Sequence, residues 1–329
     1  MSQLPQDLRG LGAAVLLAVA STASADFAPT LTLRHQRTYG QFHRETLPRP
    51  DGISFDPRRK ELYVATPGAH QIVILNQNLA PVFRFQHHVR DEQGNLALGE
   101  PVSAVVGERG EIFVADRASN RLDVADFRGR SLRSIDIAPL IDAEPPVRPG
   151  RMDRDRDGNL YVVVETAQLV LVLSPEGTLL RKIGSDGPAP EGMRMLVDVA
   201  VGPDGAVSLL DGTAEPSVRV FDAEGKYLTS FGEHSDKPEG LHMPAGVAFD
   251  AAGRIWVVDS VAHEVKAFTR DGTVLAIAGG MGTADGRFYF PSDVACGTDD
   301  ALYVAERGGD RLQAFHVETV RDAASGAAP

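Results

Sequence analysis

Nine histidines and a repeating set of carboxylates are the residues with most scope for chemistry in this 329-residue chain. Seven of the histidines, His43, His70, His87, His88, His234, His242 and His263, fall in or beside predicted loops. Neutral imidazole with carboxylate suits zinc or a similar ion. His70, His242 and His263, with Asp198 and Asp293, are therefore the metal candidates. Solvated loop histidines are the plainer reading, and it is preferred. A second candidate is Asp153-Arg154-Asp155-Arg156-Asp157-Gly158, which opens like a calcium loop, with carboxylates at positions 1, 3 and 5 and Gly at 6. Its position 12 is Val164, with Glu165 one residue late, so a hairpin turn over Asp155 to Asn159 is the better reading. Calcium and zinc are the only cofactors these patterns suggest. No Ser nucleophile elbow and no HExxH helix occurs, and the Gly-rich stretches near 184–192, 232–240 and 279–286 precede no helix, as a phosphate cradle would.

The elements that position these residues form a repeat. Pro50, Pro101, Pro149, Leu196, Pro244 and Pro291 begin six similar segments, with steps of 51, 48, 47, 48 and 47 residues. A period in that range means an array, a solenoid or a propeller. Each segment runs through an apolar first strand, a Gly turn, a second strand ending in an acid, a third strand, a tight turn and a more polar fourth strand. The strands are short, β-branched or aromatic, and bounded by Gly, Asp and Pro. Two fully apolar strands need cover on both faces, which neighbouring blades supply. Segment three departs, with Arg151-Met152-Asp153-Arg154 where apolar residues are expected. These charges must pair, or line an axial channel, because a buried unpaired charge costs about 3–5 kcal/mol.

Segment six lacks a fourth strand. Thr32 to Gly40, ahead of segment one, has the pattern of one. Pairing it beside Leu312 to Val317 closes the ring and removes exposed strand edges. The expected fold is an all-β, six-bladed propeller of four-stranded antiparallel blades over residues 26–320, with a disordered tail at 321–329.

In such a ring the loops into the first strand and out of the second share one face. That places Asp116, Glu165, Asp211, Asp259 and Glu306 around a mouth, with Arg151, Asp198 and Asp293 on the first strands. An acid repeated in five blades reads as a loop cap or a partner for an Arg five residues on (Asp116 with Arg121, Glu306 with Arg311). Asp198 and Asp293 are less explained by such a role. Arg151, Asp198, Asp293 and His242 are the expected ligand-binding residues. Trp256 and Cys296 read as core.

Residues 1–25 read as a secretory leader, with Arg9, an apolar run from Leu11 to Ala20 and Ala23-Ser24-Ala25 as the cleavage site. The apolar run is too short to span a bilayer, which needs about 20 residues. A periplasmic or secreted location follows as an expectation. Cys296 is the only cysteine, so no internal disulfide can form. The formal charge of −12 makes nucleic acid a poor partner.

The segments resemble the NHL repeat. The clearest copies are Gly279-Gly280-Met281-Gly282 with Phe288-Tyr289-Phe290-Pro291, Met243 to Asp250, Val114-Ala115-Asp116 with Asn120-Arg121, and Phe221-Asp222. The resemblance implies a six-bladed propeller, in a family of protein-binding scaffolds, RNA-binding modules and a few lyases or lactonases. The amidating-lyase relatives carry metal-binding His just after the first-strand Pro. Asp51, Val102, Gly150, Ala245 and Ser292 stand there, so that chemistry does not carry over. Pro50 to Phe55 and Leu62 to Ala65 also resemble the senescence-marker/gluconolactonase group, whose Asn ligand is not evident here. The expected function is recognition of a protein, peptide or small molecule on the shared face, by a monomer with no membrane span. The alternative is a metal-assisted lyase or lactonase using the loop His and Asp residues.

Overall fold

A computed structural model describes residues 27–40, 47–90, 94–144, 146–184 and 192–320. The expected leader and tail, His43 and most of the 184–192 loop lie outside these residues. Six four-stranded antiparallel sheets surround one axis. Blade 1 holds Ile53–Asp56, Glu61–Thr66, Gln71–Asn76 and Pro81–Gln86, and blade 2 holds Pro101–Val106, Ile112–Asp116, Arg121–Ala125 and Ser131–Asp136. Blade 3 holds Pro149–Arg154, Leu160–Val164, Leu169–Leu173 and Leu179–Ile183. Blade 4 holds Leu196–Val201, Val207–Asp211, Val218–Phe221 and Tyr227–Phe231, and blade 5 holds Pro244–Phe249, Ile255–Asp259, Glu264–Phe268 and Val274–Gly279. Blade 6 takes Pro291–Cys296, Ala301–Glu306 and Arg311–Thr319 from its own segment.

Its fourth strand is Leu31–Gly40, which runs antiparallel to Arg311–Thr319 from Leu31 opposite Thr319 to Gly40 opposite Arg311. The ring therefore closes as the permuted strand pattern requires. Inner strands of adjacent blades touch all the way round, including blade 6 against blade 1.

Alternation explains the layers. Each second strand is buried on both faces because a blade lies on either side, and apolar area leaving water is worth about 25 cal/mol per Å². Blade 3 shows this with Leu160 to Val164, all at 1% exposure or less. Trp256 is fully buried in blade 5 and satisfies its indole by donating to Asp250 Oδ2 at 2.9 Å. Outer strands face solvent, as Ser131–Asp136 does, with Ile135 its one buried residue.

The face opposite the shared loops is built of hairpin turns with one recipe. Asp126, Asp155, Asp222 and Asp250 each accept backbone N–H groups two and four residues on, a side-chain turn that fixes the loop. Gly129, Gly158, Gly225 and Gly253 follow at positive φ. The Asp155 segment is thus a hairpin turn, and its second carboxylate oxygen takes the Asn159 side-chain amide at 2.8 Å.

Candidate functional site

Six inner strands leave their free edges facing the axis, where backbone N–H and C=O groups lack a neighbouring strand. Side chains fill the deficit. Ser103 Oγ accepts Met152 N–H, Asp198 Oδ2 accepts Val247 N–H and Asp293 Oδ2 accepts Ile53 N–H, each reaching the next blade. Asp153 does the same one layer down, taking Val201 N–H at 2.7 Å. Asp198 and Asp293 each also accept their following N–H, at 2.8 Å. Their place in two blades follows from this spoke role.

Arg151 plugs the axis. Its guanidinium donates to the carbonyls of Ala245 and Ser292 at 2.9 Å and to Asp51 Oδ1 at 2.8 Å. It also stands 2.9 Å from Asp293 and 3.5 Å from Asp198. Five fixed donors suit a ring of carbonyls and carboxylates better than any other side chain. The odd segment three is thereby explained: Arg151 and Arg154 face carboxylates of other blades, and Asp153 is held by backbone N–H groups. Burial pushes the Asp293 carboxyl well up, and the neighbouring Asp198 adds to this against the pull of Arg151. Burial also raises Asp198, against the pull of Arg151.

The shared-loop face carries a rim in strict register. Arg49, Glu100, Arg148, Met195, Met243 and Phe290 are exposed just before the first strands. In five blades the carbonyl of this residue accepts an N–H from the loop after the second strand, the donors being Arg117, Glu165, Gly212, Ser260 and Arg307. The acids one residue earlier cap the rim. Asp211 accepts Arg194, Met195, Thr213 and Ala214 N–H. Asp259 accepts His242, Met243 and Ala262 N–H, and Asp116 accepts Glu100 and Ala118 N–H. Glu306 accepts Tyr289 N–H and pairs with Arg311 at 2.7 Å, as expected, whereas Arg121 lies by Asp136 rather than Asp116.

Blade 3 corrects the expected ring of five acids. Val164 pairs with Pro149, as Asp116 pairs with Pro101, so Val164 holds the capping position. Glu165 sits one residue on, with Arg117 and Arg307, on the rim. It is freed from capping, and burial holds its carboxyl above the ordinary range although Arg117 lies nearby.

Two candidate histidines prove to be joints between blades. In five blades the residue before the third strand reaches the next blade's loop, whereas Ser217 of blade 4 donates to Ala214 O of its own blade. Asn120 accepts Val147 N–H, Gln168 accepts Leu196 N–H and Asp310 accepts Arg49 N–H. His263 Nδ1 accepts Phe290 N–H at 3.0 Å from the same place, and His70 Nδ1 donates to Gly99 O at 2.6 Å. His242 stands apart, its Nε2 3.2 Å from Asp236. His70, His242 and His263 therefore do not converge, and both Asp198 and Asp293 are committed to Arg151 and backbone N–H groups. Among the described residues no group of three His, Cys, Asp or Glu could hold a metal ion. The donor set does not fit a zinc or calcium centre.

The His263 joint carries a pH signature. Its Nδ1 must be unprotonated to accept, and burial lowers its pKa from the free value. A depressed histidine pKa gives stability that is complete above the free value of about 6.5 and is lost as pH falls through the folded value. His263→Asn, which copies Asn120 of blade 2, should keep the bond and flatten the acid side of a melting-temperature profile between pH 7 and 5. An unchanged profile would exclude His263 as its source.

The axis opens on the hairpin face. Below Arg151 a chamber of about 600 Å³ leads to the hairpin face, walled by Phe55, Asp153, Arg154, Val201, Phe249 and Cys296. Cys296 is half-buried on this wall, not sealed in the core, and burial raises its thiol pKa. Burial likewise lifts Asp153 to about 6. Above Arg151, Asp51 is 2% exposed and carries Arg307 at 2.8 Å and Arg117 at 3.2 Å. Burial opposes its charge, but Arg151 first, then Arg307 and Arg117, hold its carboxyl at about 2.

Residues 241–268 match the family model of the NHL repeat. The chain carries an NHL repeat in a six-bladed β-propeller. No curated protein matches the sequence significantly. Solved structures match the fold of this propeller at low identity. A streptogramin B lyase is 13% identical, with 88% of this chain and 98% of that one covered and a TM-score of 0.59. A gluconolactonase from Xanthomonas campestris is 13% identical, with 83% and 88% covered and a TM-score of 0.59. A luciferin-regenerating enzyme is 11% identical, with 86% and 95% covered and a TM-score of 0.62.

Sequence reasoning missed Asp51, Arg117 and Arg307 in this ring. Asp51 was passed over as a position lacking His. Its signal was available, since Val102, Gly150, Val197, Ala245 and Ser292 at the same place are all uncharged.

Proposed function

We propose that the protein is a recognition propeller that binds a small molecule or peptide on the shared-loop face, over the plug formed by Arg151, Asp51, Asp198 and Asp293. The observation that carries this reading is the asymmetry of the rim. Met195, Met243 and Phe290 of blades 4 to 6 are 37%, 48% and 41% exposed, while the same positions in blades 1 to 3 hold Arg49, Glu100 and Arg148. A structural repeat has no need of such a division. An apolar half beside a few convergent polar groups is what a ligand site requires. His242, beside Met243, lies on the apolar half. The lyase and lactonase alternative keeps the same face but has no metal set among the described residues. Export of the mature chain, through the leader at 1–25, and a monomeric state belong to this proposal. Among the described residues no helix is long and apolar enough to cross a membrane.

Methionine methyl groups report both faces. Met195 and Met243 sit on the rim, whereas Met152 lines the opposite chamber. In a ¹³C-methyl-methionine sample screened against a library of small molecules and short peptides, ligands should shift Met195 and Met243 and leave Met152 in place. Ligands that move Met152 alone would transfer the site to the hairpin face and overturn the reading.

A further inference from the structure

We infer that the centre of this face is an oxyanion site, in which Arg117 and Arg307 take a carboxylate or phosphate group of the ligand. The inference rests on the shared-loop face being the binding face, and names the ligand's chemistry. Three guanidinium groups converge on the single carboxylate of Asp51, at 2.8, 2.8 and 3.2 Å. Arg151 alone is enough to neutralise Asp51, and it is sealed at 8% exposure. Arg117 and Arg307 are different. Their side chains remain 42% and 44% exposed, one in blade 2 and one in blade 6, on either side of blade 1.

Neither is needed for the joint that its backbone makes. The donor to the rim carbonyl is a main-chain N–H, which Gly212 and Ser260 supply equally well in blades 4 and 5. The two guanidinium groups are therefore surplus to the repeat. Arg307 gives Asp51 one Nη2 hydrogen bond, leaving most of its five N–H donors for another acceptor. Guanidinium forks match planar carboxylates and phosphates, and such charge-assisted bonds are about twice as strong as neutral ones. Glu165, on the matching rim position of blade 3, lies near Arg117 and is a second carboxylate with which a bound anion competes.

Asp51 acts here as a built-in competitor, which gives the test its sign. Succinate and inorganic phosphate are titrated by calorimetry into the mature chain in a zwitterionic, low-salt buffer. At least one dianion should bind saturably, and comparison of the two tells carboxylate from phosphate. Arg117→Gln and Arg307→Gln should each weaken binding about tenfold. Asp51→Asn keeps its size and its bond from Arg151 but removes the competing charge, so it should tighten binding. Absence of binding to both the wild type and Asp51→Asn overturns the inference, as does binding that neither arginine substitution weakens. Methyl shifts at Met195 and Met243 with a neutral ligand, alongside silent anions, would sink the oxyanion site and leave the binding face standing. Melting temperatures of the variants near that of the wild type show that each is folded.

Discussion

Replacing Arg151 with Met lowers the stability of the ring by about 3–5 kcal/mol, the loss expected when one partner of a buried charge cluster is removed. Met follows the arginine side chain only as far as the ε position and supplies no donor. The carbonyls of Ala245 and Ser292 then lose their partner, and Asp51, Asp198 and Asp293 keep their charges without the central guanidinium. Arg151→Lys should recover only part of the loss, because one ammonium cannot reach acceptors in three blades. The deficit has a pH dependence of known sign. Asp198 and Asp293 already have raised folded-state values, because burial disfavours their charge. Without Arg151 they rise further, together with Asp51. A group whose folded pKa is raised gives stability that is present below its unfolded value and lost as pH climbs through the folded one. The difference between Arg151→Met and the wild type should therefore be smallest near pH 4 and grow toward neutrality. Urea denaturation at both pH values measures it. A variant within about 1 kcal/mol of the wild type at pH 7 would mean that the cluster relaxes or hydrates without cost.

The plug also shows what could be read beforehand and what could not. Period, strand chemistry and the displaced fourth strand are local patterns, repeated five or six times, and they determine the blades. The pairing of Arg151 could only be posed as a requirement, since its partners lie in blades 1, 4, 5 and 6 and no spacing along the chain relates them. Register errors have the same root. Glu165 was grouped with the capping acids because strand ends are uncertain by a residue, and only the pairing of Val164 with Pro149 separates them. His70 and His263 looked alike as loop histidines. The joint they form with Asn120, Gln168 and Asp310 is invisible until five unlike residues are seen in one position. Arg117 and Arg307 carried no pattern at all, because a site that breaks a repeat leaves no repeated mark.

Removal of residues 27–40 should abolish the folded monomer. The strand Leu31–Gly40 does more than complete a sheet. Leu31 packs with Trp256, Phe288 and Phe315, while Tyr39 packs with Leu47, Leu62 and Leu312, so its two ends seal blade 6 against blade 5 and against blade 1. Thr30 N–H donates to Leu275 O of blade 5, and Arg37 donates to Asn78 O of blade 1. Burying Leu31 and Tyr39 is worth about 1.5–3 kcal/mol each. Each lost hydrogen bond of the ladder adds about 1 kcal/mol. The total reaches the whole net stability of an ordinary domain, about 5–15 kcal/mol. The truncated chain would also expose Arg311–Thr319 as a long unprotected edge, which favours pairing between molecules. Size-exclusion chromatography should show aggregate or oligomer in place of monomer, and a synthetic peptide of residues 27–40 added during refolding should restore the monomer. Gly40 sets the register of this seam, since a Cβ there would lie 2.4 Å from Asp310 O. Gly40→Val should weaken the closure in the intact chain. A truncated chain that stays monomeric and melts in one transition at the wild-type temperature would show that the ring holds without its closing strand.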